Sequence, residues 1–362
     1  MKEHIANLKQ DRVMTAIVGS YPKPKSIFAR SGRELLNEDG HTFYELDETI
    51  GEQEFKTRLD TAARMAIEDQ NAAGIDLISD GEERRGHYVY YVLRKLGGIS
   101  FEHRSEKIIR DGKYVRYVPT VVGKITYQGS ILIADYQFTA QHAQGIPKIS
   151  LPGPSTVVDG LSDAHYQGNR EQMALDYAAA IRNEVSNLLE AGCQVIQFDD
   201  PVLLRYPDQA QRWGMKALQA CFEGFENRAT FFVHICRGYP DKPLERKGIE
   251  YKANADYYAD ILDWLSHSSI DVASIEGAQS NLDLSVLPAI REKTVMLGVL
   301  DVGSNAIESV ESLIERGKEA LRHLPKEQLI LAPDCGMLQL SRAAASDKLT
   351  NLAEATSILN GL

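Results

Sequence analysis

What most constrains this 362-residue chain is a rhythm of eight short apolar runs, each separated from the next by a polar or amphipathic stretch. The runs are TAIVGS (15–20), DLISDG (76–81), PKISLPGP (147–154), QVIQFDDP (194–201), TFFVHIC (230–236), DVASIEGA (271–278), TVMLGVLD (294–301) and LILAPDCG (329–336). Between them lie helical stretches such as 52–73 and 170–191, stopped by Gly74 and Gly192, residues that turn left-handed without a Cβ clash. Strands alternating with helices predict repeated βα units around a parallel sheet, and eight of them predict a (β/α)8 barrel of the TIM type. A doubly wound open sheet is the competing architecture, and no GxGxxG motif supports it.

Two regions interrupt the rhythm. Residues 99–145 contain KYVRYVPTVVGKITYQ and ILIADYQF, alternating segments that read as β-hairpins inserted after the second βα unit. Residues 22–54, with Pro22, Pro24, Gly32, Gly40 and Gly51, form a second long connection. Both are expected to act as lids or binding segments at the barrel mouth. The chain shows no internal repeat or linker, so one catalytic barrel domain over 1–362 is expected.

A formal charge of -11, with Lys and Arg scattered, argues against nucleic-acid or anionic-membrane partners. The polar N-terminus MKEHIANLKQDR has no apolar core, and a cytoplasmic location is expected. Four cysteines, Cys193, Cys221, Cys236 and Cys335, are too few and too widely spaced for a disulfide framework. Cys193 and Cys221 read as core residues.

Reactive groups of such a barrel gather where strands end. Ser20, Glu82, Asp199, Asp200, His234, Cys236, Glu276, Asp301 and Cys335 all fall there. Alternation along a strand sends His234 and Cys236 to one side. An isolated H-x-C is a weak signal; joined by Glu276 and Cys335 at two further strand ends, it supplies a tetrahedral zinc shell of one His, two Cys and one Glu. Two thiolates and a carboxylate outweigh the ion's charge, which suits activation of a thiol better than of water. Glu276 is then the ligand expected to yield its place to the thiol. Glu82 and Asp199 are suited to an amino-acid ammonium, Ser20 to its carboxylate. Asp200 reads as a helix cap.

The ordered motifs VGSYPKP, DGEERR, LPGP, IQFDDP, VHIC, IEG, LDVGS and PDCGM span nearly the whole chain, which resembles the catalytic C-terminal half of the cobalamin-independent methionine synthase family and its short single-barrel relatives. The resemblance implies a zinc barrel that methylates the thiol of homocysteine. It assigns zinc to His234, Cys236, Glu276 and Cys335, and the amino acid to Ser20, Glu82 and Asp199. Three positions depart from the family pattern. Gly160 stands where the full-length enzymes stack a tryptophan on the folate, a ring contact worth about 1 to 2 kcal/mol. Gly303 replaces a histidine that serves the departing pterin, and Arg205 replaces an acid. The donor expected is therefore methyltetrahydrofolate or a methylcorrinoid, the latter brought by an accessory or corrinoid protein, with His87, Tyr88 and Tyr91 as candidate proton donors. The alternatives are alkyl transfer from an epoxide to another thiol, and a metal-free lyase of the tetrapyrrole-decarboxylase type.

Overall fold

The computed structural model describes residues 11–24, 35–36, 42–43, 51–109, 114–239, 247–249 and 251–362. The eight apolar runs are the eight strands of a barrel: β1 Met14–Thr15, β2 Leu77–Ile78, β3 in two pieces, Ile146–Pro147 and Ile149–Pro152, β4 Val195–Asp199, β5 Thr230–Ile235, β6 Val272–Ile275, β7 Thr294–Leu300 and β8 Leu329–Pro333. Seven run side by side in the order β1-β8-β7-β6-β5-β4-β3. The eighth, β2, closes the ring. It pairs in parallel with Ile146–Pro147 on one side and bridges to Ala16 on the other. The Lys148 N–H donates to Ile78 O at 2.7 Å and the Ile17 N–H to Leu77 O at 3.2 Å.

Side-chain parity fills the barrel from the bottom up. Met14, Ala16, Leu77, Val195, Phe232, Val272, Met296 and Ile330 form a dry plug of inward residues. Two residues further along their strands come Gln197, His234 and Ser274, and two beyond those Asp199, Cys236 and Glu276, so the lumen turns polar toward the C-terminal face. Outward residues such as Ile196, Phe198, Phe231 and Val233 pack under the surrounding helices in one large core. The helix Glu52–Ala73 stops at Gly74, which adopts φ 76° as the spacing predicts. Among the described residues no helix is long and apolar enough to cross a membrane.

Three expectations need correction. ILIADYQF forms no strand: Ile133–His142 is a helix. Leu132, Asp135, Tyr136 and Thr139 are its buried side, a spacing of three and four that outweighs the short-range alternation. The hairpin itself is Leu96–Ile109 paired antiparallel with Tyr114–Tyr127. It precedes that outer helix, so it sits inside the second βα unit rather than after it. After β6 the chain makes a 3-10 helix, Leu284–Ile290, with Pro288 within it, instead of an α-helix. Of the expected lid 22–54, residues 25–34, 37–41 and 44–50 lie outside the described residues.

Candidate active site

At the ends of β5 and β8 the ligand atoms of His234, Cys236 and Cys335 lie within 4.8 Å of one another. All three residues are buried. His234 Nδ1 is 2.8 Å from Ser274 Oγ on the adjoining strand, a position fixed by the register that sets His234 beside Ser274. Its Nε2 is buried with no hydrogen-bond partner among the described residues. A buried ring nitrogen without a partner is costly unless something else satisfies it. The two sulfurs are 3.5 Å apart, with the Cys335 S–H donating to Cys236. That bond drives the Cys236 thiol well below its usual range and Cys335 well above. One imidazole nitrogen and two sulfurs, converging without a competing partner for the nitrogen, fit a zinc ion.

Glu276 stands outside this trio. Its Oε1 accepts from Lys252 Nζ at 2.9 Å and its Oε2 from the Arg237 N–H at 3.3 Å. The backbone beneath it is clamped: Asp334 accepts from the N–H groups of Gly277, Ala278 and Gln279 at 2.9, 2.8 and 2.6 Å. Asp334 directly precedes Cys335, so one loop carries a sulfur and braces the carboxylate.

Ser20, Glu82 and Asp199 line one cavity together with His234, Cys236 and Cys335. Glu82 reaches it from a backbone at φ 54°, a conformation rare outside glycine and characteristic of functional sites. Its Oε1 accepts from Ser150 Oγ at 2.7 Å and lies 3.5 Å from Arg85. A Cβ at Gly19 would come within 2.8 Å of that oxygen, so a larger residue there would displace the Glu82 carboxylate. Asp199 Oδ1 accepts from Gln197 Nε2 at 2.6 Å, and Gln197 in turn takes a 2.6 Å bond from the buried Lys148 Nζ. Burial pushes the Asp199 carboxyl up to about 7, against the pull of His234, and Glu82 adds to the rise. A cation beside Asp199 would offset that rise. Ser20 Oγ is 2.7 Å from the Tyr239 hydroxyl.

The remaining sequence expectations divide. Asp200 is the predicted cap, accepting from Ser155 N, Thr156 N and Thr156 Oγ1 at the start of the helix Pro154–Asp159. Cys193 and Cys221 are buried in the core, and burial pushes Cys193 up to about 12. Tyr91 is no proton donor to the cavity, because its hydroxyl donates to Asp135 at 3.1 Å and it is absent from the cavity wall. His87 lines the cavity; its Nδ1 accepts from the Val89 and Tyr90 N–H groups, which leaves the ring proton on Nε2, and burial lowers its pKa to about 4. Tyr88, Gly160 and Arg205 line the cavity; Asp301 and Gly303 do not.

Sequence reasoning passed over Ser150, Gln197, Ser274, Tyr239, Lys252 and Asp334. Gln197 and Ser274 share the parity of Asp199 and Glu276 and were in principle readable. Lys252 gives no such signal.

The family described as cobalamin-independent synthase, catalytic domain, matches residues 13–357. A methionine synthase of Saccharolobus solfataricus is 27% identical over 355 residues, covering 95% of this chain and 94% of the relative. One of Thermococcus kodakarensis is 25% identical over 347 residues, covering 95% and 93%. A solved structure of a B12-independent methionine synthase from Shewanella sp. W3-18-1, in complex with selenomethionine, superposes with a TM-score of 0.84 at 32% identity, covering 97% of this chain and 98% of that one. With the match running through every strand of the barrel, the chain belongs to the cobalamin-independent methionine synthase family.

Proposed function

We propose that this protein is a zinc-dependent methyltransferase, built as one barrel domain, that methylates the thiol of homocysteine to give methionine, with methyltetrahydrofolate or a methylcorrinoid as donor. The observation that carries this reading is the convergence of His234 Nε2, Cys236 Sγ and Cys335 Sγ on a cavity whose other polar walls are Ser20, Glu82 and Asp199. Zinc held by these three ligands, with Glu276 as the fourth when no acceptor is present, would lower the pKa of the substrate thiol and keep the sulfur nucleophilic at neutral pH.

The chain's own residues supply orientation. Glu82 and Asp199 take the ammonium of the amino acid, each carboxylate already aimed by Ser150 or Gln197. Ser20, held by Tyr239, takes its carboxylate. With both ends fixed, the sulfur is aligned for in-line displacement, which gains from proximity. The bond from donor to methyl carbon breaks with its electrons remaining on the donor, the carbon–sulfur bond forms, and the thiol proton is released. A pterin donor also needs a proton on its leaving nitrogen, and of the three sequence candidates His87 and Tyr88 are the two that line the cavity.

An epoxide reaction on a sulfonate-bearing thiol would want cations where Glu82 and Asp199 stand, and the family match favours methyl transfer over a metal-free lyase. The test is mass spectrometry of methionine formed from homocysteine by zinc-loaded protein, with methyl-labelled tetrahydrofolate and methylcobalamin in parallel reactions. Label in methionine is expected from one of them; labelled product from neither, with zinc bound, would contradict the reading.

A further inference from the structure

We infer that Lys252 is a positioning residue that receives the Glu276 carboxylate when an incoming thiol takes its place at the metal. The inference rests on the zinc reading above and adds to it a residue that neither the ligand set nor the acceptor pocket contains. Glu276 is 1% exposed and the side chain of Lys252 13%. A carboxylate this buried cannot leave a dication unless another cation meets it, because the low-dielectric surroundings do not solvate the freed charge. Lys252 Nζ already meets Oε1 at 2.9 Å, and the Arg237 N–H takes Oε2 at 3.3 Å. The ammonium is itself aimed by Gln279 Oε1, 2.6 Å away.

The backbone around Glu276 cannot provide the motion. The Glu276 N–H donates to the Tyr258 hydroxyl at 3.2 Å, and Asp334 holds the next three N–H groups. A Cβ at Gly277 would fall 2.6 Å from Gly298 O, so the chain there is packed against β7 without slack. Exchange between metal and lysine is thus confined to rotation of the Glu276 side chain. The Lys252 pair is one end of that rotation, and the His234, Cys236 and Cys335 trio marks the other.

The test is zinc affinity by chelator competition, with and without homocysteine, in wild type, Lys252→Met and Lys252→Arg, together with zinc-edge X-ray absorption to count sulfur and oxygen ligands. Without its competing cation, Lys252→Met is expected to hold zinc roughly ten-fold more tightly and bind homocysteine roughly ten-fold more weakly, an outer-shell effect of ordinary size. Its oxygen ligand should persist on adding the thiol, whereas wild type and Lys252→Arg exchange oxygen for sulfur. Zinc bound equally well by all three proteins, with the same exchange of ligands in Lys252→Met, overturns the inference alone. A wild-type protein that fails to bind zinc overturns the metal reading and this inference with it.

Discussion

At the scale of single residues, neighbouring carboxylates in DGEERR are sorted into different tasks by what surrounds them. Glu82 turns into the cavity, where Ser150 and Arg85 hold it. Replacing it by Gln removes one charge from the ammonium site but keeps the shape, so the KM for homocysteine should rise roughly 10- to 100-fold with a smaller change in kcat. Steady-state rates against homocysteine decide it, and an unchanged KM would remove Glu82 from the acceptor site. Glu83 turns the other way. Both its oxygens are buried without a hydrogen bond among the described residues, and Lys23 Nζ lies 3.8 Å off. Burial pushes its carboxyl up to about 7, partly offset by Lys23. A carboxyl raised in the folded state stabilises the fold below its unfolded pKa and loses that contribution as pH rises through the folded one. Wild-type stability should therefore fall between about pH 4.5 and pH 7, and Glu83→Gln should flatten that slope, a difference on the order of 3 kcal/mol. Urea unfolding at a series of pH values checks this; parallel profiles for the two proteins would contradict it.

At the scale of elements, the hairpin insertion is tied to the barrel by Glu184 on the helix Arg170–Glu190. This buried carboxylate accepts from the Tyr127 hydroxyl at 2.7 Å and from the N–H groups of Ile131 and Leu132 at 3.0 and 2.6 Å. Glu184→Ala strands two buried N–H groups and should cost about 2 to 4 kcal/mol. It should also make the hairpin the first site of limited proteolysis, and cleavage elsewhere at unchanged stability would refute the anchoring role. The strands were legible in the sequence because a barrel strand buried on both faces must be apolar, and because parity then fixes which residues enter the lumen. ILIADYQF, where the helix Ile133–His142 begins, was not, since its eight residues of mixed polarity satisfy both periods. His234, Cys236 and Cys335 were named from residue type and strand end taken together with the family resemblance, and the fold brings their ligand atoms together. Lys252 was not, because its contact with Glu276 joins the connection after β5 to the end of β6, and sequence distance carries no trace of it.

At the scale of the whole molecule, eight strands from 14 to 333 converge so that residues far apart in sequence act on one small volume. The barrel floor is apolar, the next layer is polar, and the rim carries the carboxylates and sulfurs, so the reactive groups rest on a packed base. The mouth is assembled differently. Val118 of the hairpin joins Gly160 and Arg205 in the cavity wall, so the insertion contributes to the cavity. The central claim remains the metal centre, and its most direct test is the zinc content of purified wild-type protein and of Cys335→Ser, measured with circular dichroism on the same samples. About one zinc ion per chain in the wild type, falling to a small fraction in the variant at unchanged secondary structure, is the expected result. Stoichiometric zinc in Cys335→Ser, or none in the wild type after reconstitution with zinc, would contradict it.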